Sequence, residues 1–177
     1  KQYDIIYGRL PQDKNEVVLM IDGNNEINEM LLYALGIRNQ NDLQSNIMGA
    51  LSGTEVEKTQ ESFTYEDICN MKFRLVLNCD YMVKDKKTGL WSDRSSNLAY
   101  VKKLVENGLE ISIVGIIRPD ENNVLSVGTG GIGYMPELME YALEYTANSE
   151  VVKEQLKNPE KDVITGMEFV DLTVNDF

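Results

Sequence analysis

The sequence predicts an α+β fold, with a mixed or antiparallel sheet packed against several short helices in a single domain spanning 1–177. Two observations carry this. Segments with strand and helix periodicity interleave without a strict strand-helix-strand rhythm, and no helical segment is long. The size agrees: 177 residues with 42% hydrophobic and 26% charged residues is an ordinary globular balance. A chain of this length buries roughly two-thirds of its unfolded surface, so a core forms without help from metal or disulfides.

The elements follow in order. Asp4 to Tyr7 is apolar and β-branched, and Gly8-Arg9-Leu10-Pro11 breaks it. Asn15 to Asp22 is a second strand whose near-continuous apolar run suggests burial on both faces. Gly23-Asn24-Asn25 is turn chemistry that also supplies a helix cap. Glu26 to Leu35 places Ile27, Met30, Leu31, Ala34 and Leu35 at helical spacing, and Gly36 closes that helix in a left-handed conformation. Asn39 to Ser62 is polar and aperiodic, a long loop with one helical turn near 47–51. A loop this long reads as a partner-facing segment.

Thr64 heads a short helix, with Asp67 completing a capping box. Lys72 to Met82 alternates, with Phe73, Leu75, Leu77 and Cys79 on one side and Arg74, Asn78 and Asp80 on the other, which predicts one half-buried strand. Lys84 to Gly89 is a charged hairpin turn, and Leu90-Trp91 begins the return strand. Ser95 or Ser96 caps a helix from Asn97 to Glu106 with the stripe Leu98, Val101, Leu104 and Val105, ended by Gly108. Leu109 to Arg118 is the strongest strand of the chain, stopped by Pro119. Asn122 to Gly133 reads as loop. Pro136 opens a helix to Ala147 with Leu138, Met139, Ala142 and Leu143 inward. Ser149 caps a last helix to Leu156, and Val163 to Thr165 and Met167 to Val174 are further strand candidates.

Composition excludes several kinds of chemistry. Seventeen Lys+Arg against 29 Asp+Glu leave a net charge of -12, so a nucleic-acid partner, which needs a basic face, is not expected. The absence of histidine removes Ser-His and Cys-His nucleophile systems and His-containing zinc sites. Cys69 and Cys79 are too few for a thiolate metal site. They suit either one bridge or two buried thiols. No stretch approaches the ~20 apolar residues of a membrane span, and no signal peptide is present. The chain opens at Lys1 almost directly on a strand, which reads as part of a longer protein.

Gly128-Thr129-Gly130-Gly131-Ile132-Gly133 has the dinucleotide-loop spacing. It lacks the strand-loop-helix-strand setting and an acid at the end of a second strand, so a plain loop is expected. The acidic turns at Asp22 and Asp120 offer oxygen ligands but carry Ile27 and Leu125 where a calcium loop needs glycine. Glu137/Glu140 and Glu140/Glu144 share a helix face, where solvated carboxylates are the rule. No catalytic residue, resident cofactor or metal is assigned. Trp91, Tyr100, Tyr134, Tyr141 and Tyr145 are candidates for a partner-binding patch, because Tyr and Trp dominate protein interfaces. The same five residues also suit core and rim positions.

The order of Gly8-Arg9-Leu10-Pro11, Asn15-Glu16-Val17-Val18-Leu19, Tyr33-Ala34-Leu35-Gly36-Ile37 and Ile113-Val114-Gly115-Ile116-Ile117-Arg118-Pro119 resembles the extracytoplasmic domain of MacB/FtsX-type ABC transporter permeases. Tyr65 to Tyr81 and Ile132-Gly133-Tyr134 add to the likeness, which is greatest for the Firmicutes-like versions and runs from about Tyr3 to Gly166. The long 39–62 stretch and the 85–96 hairpin depart from the shortest members. The resemblance implies a non-catalytic domain on the extracellular face of the plasma membrane, between the first two transmembrane helices of a dimeric permease. It implies a relay of ATP-driven motion, with ATP bound by a separate ATPase subunit or domain, and contact with an extracellular protein, peptide or lipoprotein. The alternative is a free-standing extracellular ligand-binding or adhesion module.

Overall fold

Short strands with β-branched cores and helices delimited by Asn, Thr and Ser caps assemble, in a computed structural model, into an α+β fold with a mixed sheet. The structure describes residues 3–38, 48, 52, 62–120 and 130–169. Most of the expected 39–62 loop lies outside the described residues. The chain divides into two compact units, 1–73 with 110–136, and 74–109 with 137–177.

The first unit is built on β1 (Tyr3–Gly8), β2 (Glu16–Met20), β6 (Leu109–Pro119) and β7 (Gly131–Tyr134) in the order β1-β6-β2-β7, with β3 (Lys72–Leu75) also pairing with β6. β2 runs parallel to β6, while β1 and β7 pair antiparallel to their neighbours. The inner strands are the two with the longest apolar runs. Val17, Val18, Leu19, Ile21, Ile111, Ile113, Ile116 and Ile117 are buried, as the sequence predicts for strands enclosed on both faces. Leu32 and Tyr33 of α1 (Glu29–Ala34) and Ile68 of α2 (Tyr65–Asn70) join them.

Two glycines set the closest approach in this sheet. Gly8 has φ +69, and a Cβ on it would lie 2.2 Å from the Val114 carbonyl oxygen. A Cβ on Gly115 would lie 2.2 Å from the Arg9 carbonyl oxygen. The two residues face each other in the β1–β6 register, beside a shift in the β2–β6 register between Val17 and Val18. Just beyond, Arg9 grips Glu16 through both nitrogens, at 2.7 and 2.5 Å, and the Gln12 amide donates to the same carboxylate.

The second unit holds the 3-10 turn Asn78–Tyr81, the hairpin β4 (Met82–Lys84) with β5 (Trp91–Asp93), and the helices α3 (Leu98–Asn107), α4 (mostly, Pro136–Asn148) and α5 (Glu150–Lys157).

Several expectations are corrected. α1 starts at Glu29 with Asn28 as its cap, because Asp22 spends its Oδ1 on the amides of Asn24 and Glu26 and holds the chain in a turn until then. Its buried face is Leu32 and Tyr33, leaving Met30 exposed. Asn97, not Ser95 or Ser96, caps α3, since the Ser95 amide is taken by Asp93. The single strand expected over 72–82 is interrupted at 78–81, where the Asp80 carboxylate accepts the Leu77 amide and closes a turn. In α4, Leu138, Tyr141, Ala142 and Thr146 are the less exposed positions, and Met139 and Leu143 are exposed instead of inward. Residues 163–165 form a turn, because Asp162 accepts from the Ile164 amide and the Thr165 hydroxyl. Of the 167–174 strand, the described part makes one isolated bridge, Glu168 with Lys161, and the rest lies outside the described residues. Gly131 to Tyr134 is strand, not loop. The remaining borders stand close to expectation, including the Thr64–Asp67 capping box, the 84–89 turn and the Ser149 cap.

Candidate functional site

The most developed polar constellation lies in the second unit, around Asp80. Its carboxylate is fixed at both oxygens: Oδ2 accepts the Leu77 amide at 2.9 Å, and Oδ1 accepts the Tyr145 hydroxyl at 2.8 Å. Its backbone carbonyl accepts the Tyr100 hydroxyl at 2.9 Å. The Tyr141 and Tyr145 rings lie 5.9 Å apart, tilted by 38°. Leu75, Leu77, Asp80, Asn107, Gly108, Leu109, Tyr141 and Tyr145 line a cavity of about 60 Å³.

Each wall has a local origin. The 3-10 turn exists because Asp80 bonds back to Leu77, and it aims the carboxylate. α4 presents Tyr141 and Tyr145 at i and i+4, one above the other on one face. Gly108 ends α3 with an ordinary φ of -66, so its value is space: a Cβ there would meet the Leu75 carbonyl oxygen at 2.6 Å. The hydrogen bond to Asp80, with burial second, pushes the Tyr145 hydroxyl up to about 12. The phenol therefore keeps its proton throughout the physiological range and acts as a donor to the carboxylate.

A second constellation in the same unit centres on Glu154. It accepts Lys84 Nζ at 2.7 Å and Trp91 Nε1 at 3.0 Å, and the Lys84 and Trp91 bonds hold its carboxyl below the usual range. Below it on α5, Gln155 binds the carbonyls of Asn158 and Lys161 and accepts the Val163 amide.

The five aromatic candidates therefore have distinct placements. Tyr100, Tyr141 and Tyr145 gather around Asp80, and Trp91 stands on Glu154. Tyr134 belongs to the first unit, opposite Val17 on the sheet-edge strand β7, where it is 48% exposed. Asp80, Asn107 and Glu154 are the residues sequence reasoning missed. The run Asn78-Cys79-Asp80, a turn-favouring composition inside an alternating segment, is the signal that marks Asp80.

The other motifs resolve as structure. In the glycine-rich segment, Gly131 to Gly133 pair with Val18 to Met20, and a Cβ on Gly133 would lie 2.8 Å from Val18 Cγ2. These glycines fit sheet packing, and 128–129 lie outside the described residues. Asp22 closes a turn through its own side chain, whereas 121–123 of the Asp120 turn lie outside the described residues. Glu137, Glu140 and Glu144 are exposed on α4. Cys69 and Cys79 are both free, and burial pushes the Cys69 thiol up. Among the described residues no group of three or more His, Cys, Asp or Glu is placed to hold a metal ion, and no helix is long and apolar enough to cross a membrane. No protein-family model, curated protein or solved structure matches the chain.

Proposed function

We propose that this chain is the extracytoplasmic domain of a MacB/FtsX-type ABC permease, a non-catalytic relay that passes ATP-driven motion to an extracellular protein, peptide or lipoprotein. One observation carries the reading. Three of the motifs that give the resemblance, two of them neighbours in sequence and the third much later in the chain, meet in space. Gly8 stands against Gly115, Arg9 of the first motif binds Glu16 of the second, and Val18 pairs with Gly115 of the last. A sheet interlocked at such a crossing resists shear between its strands, as a relay requires. In this reading the parent protein is a dimeric membrane permease and ATP binds a separate subunit or domain.

The complete gene and its full-length product test this. Four hydrophobic spans, with the first two flanking this domain, and co-purification of the membrane protein with an ATPase are the expected result. A gene without those spans rejects it. The second reading, an extracellular ligand-binding or adhesion module, is favoured by the Asp80 cavity. Its gene would carry one anchor and have no ATPase neighbour.

A further inference from the structure

The cavity beside Asp80 has an uneven hydrogen-bonding inventory. Asn107 donates through Nδ2 to the Lys103 carbonyl at 2.7 Å. A carbonyl only accepts, so this bond fixes the amide orientation and leaves Asn107 Oδ1 as an acceptor. The Tyr145 hydroxyl has spent its proton on Asp80, which leaves its oxygen as an acceptor too. Asp80 is an acceptor at both oxygens, each with a lone pair beyond the bond it already takes. Among the described residues, no Lys or Arg lies within ion-pair distance of Asp80. Lys84, the nearest cation along the chain, is bound to Glu154, and Arg74 alternates to the face of β3 opposite Leu75 and donates to the Gly108 carbonyl at 3.3 Å. The remaining walls are leucine side chains and two phenol rings.

Acceptors that outnumber the one further lining side-chain donor, the Tyr141 hydroxyl, together with one carboxylate and aromatic rings, describe a receptor for a compact donor-rich cation. An ammonium group has three donors and no acceptor, and its charge is attracted both by the carboxylate and by aromatic ring faces. The volume sets the size. About 60 Å³ holds roughly four waters, which suits one head group with a methylene or two. We propose that the Asp80–Asn107–Tyr141–Tyr145 cavity binds a primary alkylammonium group, carried by a free amine or by a lysine side chain. This site does not rest on the permease reading and stands or falls by itself.

The experiment titrates the whole chain with propylammonium chloride, with N-acetyl-lysine methylamide and with the neutral isostere 1-butanol, followed by amide chemical shifts of 74–109 and 137–148. Saturable shifts at 77–80 and 107–109 with the ammonium compounds, and none with butanol, are expected. A free amine as the natural ligand gives propylammonium the tighter binding, and a partner's lysine gives the lysine derivative the tighter binding. Asp80→Asn should weaken either about tenfold or more, because it removes the charge. Tyr141→Leu should weaken it several-fold while leaving the Asp80 turn intact. Glu140→Gln, an exposed carboxylate outside the lining, should leave binding unchanged. Equal binding of butanol, equal binding by Asp80→Asn, absence of saturation with both ammonium compounds, or loss of binding in Glu140→Gln overturns the proposal. Should Asp80→Asn fail to fold, Tyr141→Leu and the butanol arm still decide the matter.

Discussion

The two units are held together by different physics. Among the described residues, the first contains all but two of the buried apolar ones, centred on Leu19, Ile21 and Ile116, each nearly inaccessible. The second contributes only Val151 and Val163 to that set and leaves Leu98, Leu143 and Leu156 at 63% exposure or more. What orders it is a set of side-chain hydrogen bonds: two tyrosines on Asp80, a lysine and the indole on Glu154, a glutamine bridging three backbone groups and an aspartate closing a turn. Apolar burial is cumulative and non-directional, so it makes a stable sheet. Hydrogen bonds contribute only about 1 kcal/mol net each, but they specify geometry. The unit with the smaller described core also holds the Asp80 cavity.

The largest test of this contrast is Gly115→Ala. With the Arg9 carbonyl oxygen 2.2 Å from the new carbon, backbone must move, and a loss of more than about 4 kcal/mol is expected. Far-UV circular dichroism against urea reads it, and a change below about 1 kcal/mol would refute the close crossing. Ile116→Ala follows, at about 3 kcal/mol, as a plain cavity in the apolar unit.

Trp91 is the only tryptophan and belongs to the second unit, so its fluorescence isolates that unit. Asp80→Ala should lower the stability read by Trp91 by about 1 kcal/mol, since it removes the acceptor of the half-buried Leu77 amide and of the exposed Tyr145 hydroxyl. In the unmodified protein the fluorescence transition should precede the end of the dichroism transition. Coincident curves would show that the two units unfold as one.

The smallest effects are pH-dependent and separate the units by sign. Arg9 and the Gln12 amide hold the Glu16 carboxyl at about 2 against an ordinary 4.5. Its contribution is complete above about pH 4.5 and is lost as pH falls toward 2, so Glu16→Gln should flatten the acid limb of the first unit. Tyr145 runs the other way. Its folded value of about 12 exceeds the ordinary 10, so its contribution is complete below pH 10 and is lost as pH rises through 12. Tyr145→Phe should flatten the alkaline limb read by Trp91 and leave the acid limb alone.

The apolar unit was the legible one. Continuous apolar runs at 16–20 and 109–118, the Thr64–Asp67 box and the glycine after α1 are local signals, and the structure follows them. The candidate site was not legible, because its parts are unremarkable locally. Asp80 reads as one more outward position of an alternating strand until Tyr100 and Tyr145, 20 and 65 residues away, bond to it. The misplaced stripe of α4 has the same origin: hydropathy selects Met139 and Leu143, while packing selects Tyr141 and Thr146.

By itself, then, the sequence determined the α+β class, most of the strand and helix borders, the two-sided burial of the inner strands and the absence of histidine chemistry. Each of these depends on composition or on neighbours within a few residues. Only the tertiary structure decided that Gly8 and Gly115 face each other, that the 72–82 segment breaks into a turn, and that Asp80, Asn107 and the tyrosines share a cavity. Those outcomes depend on groups distant along the chain, whose pairing is set by where the backbone can close around them.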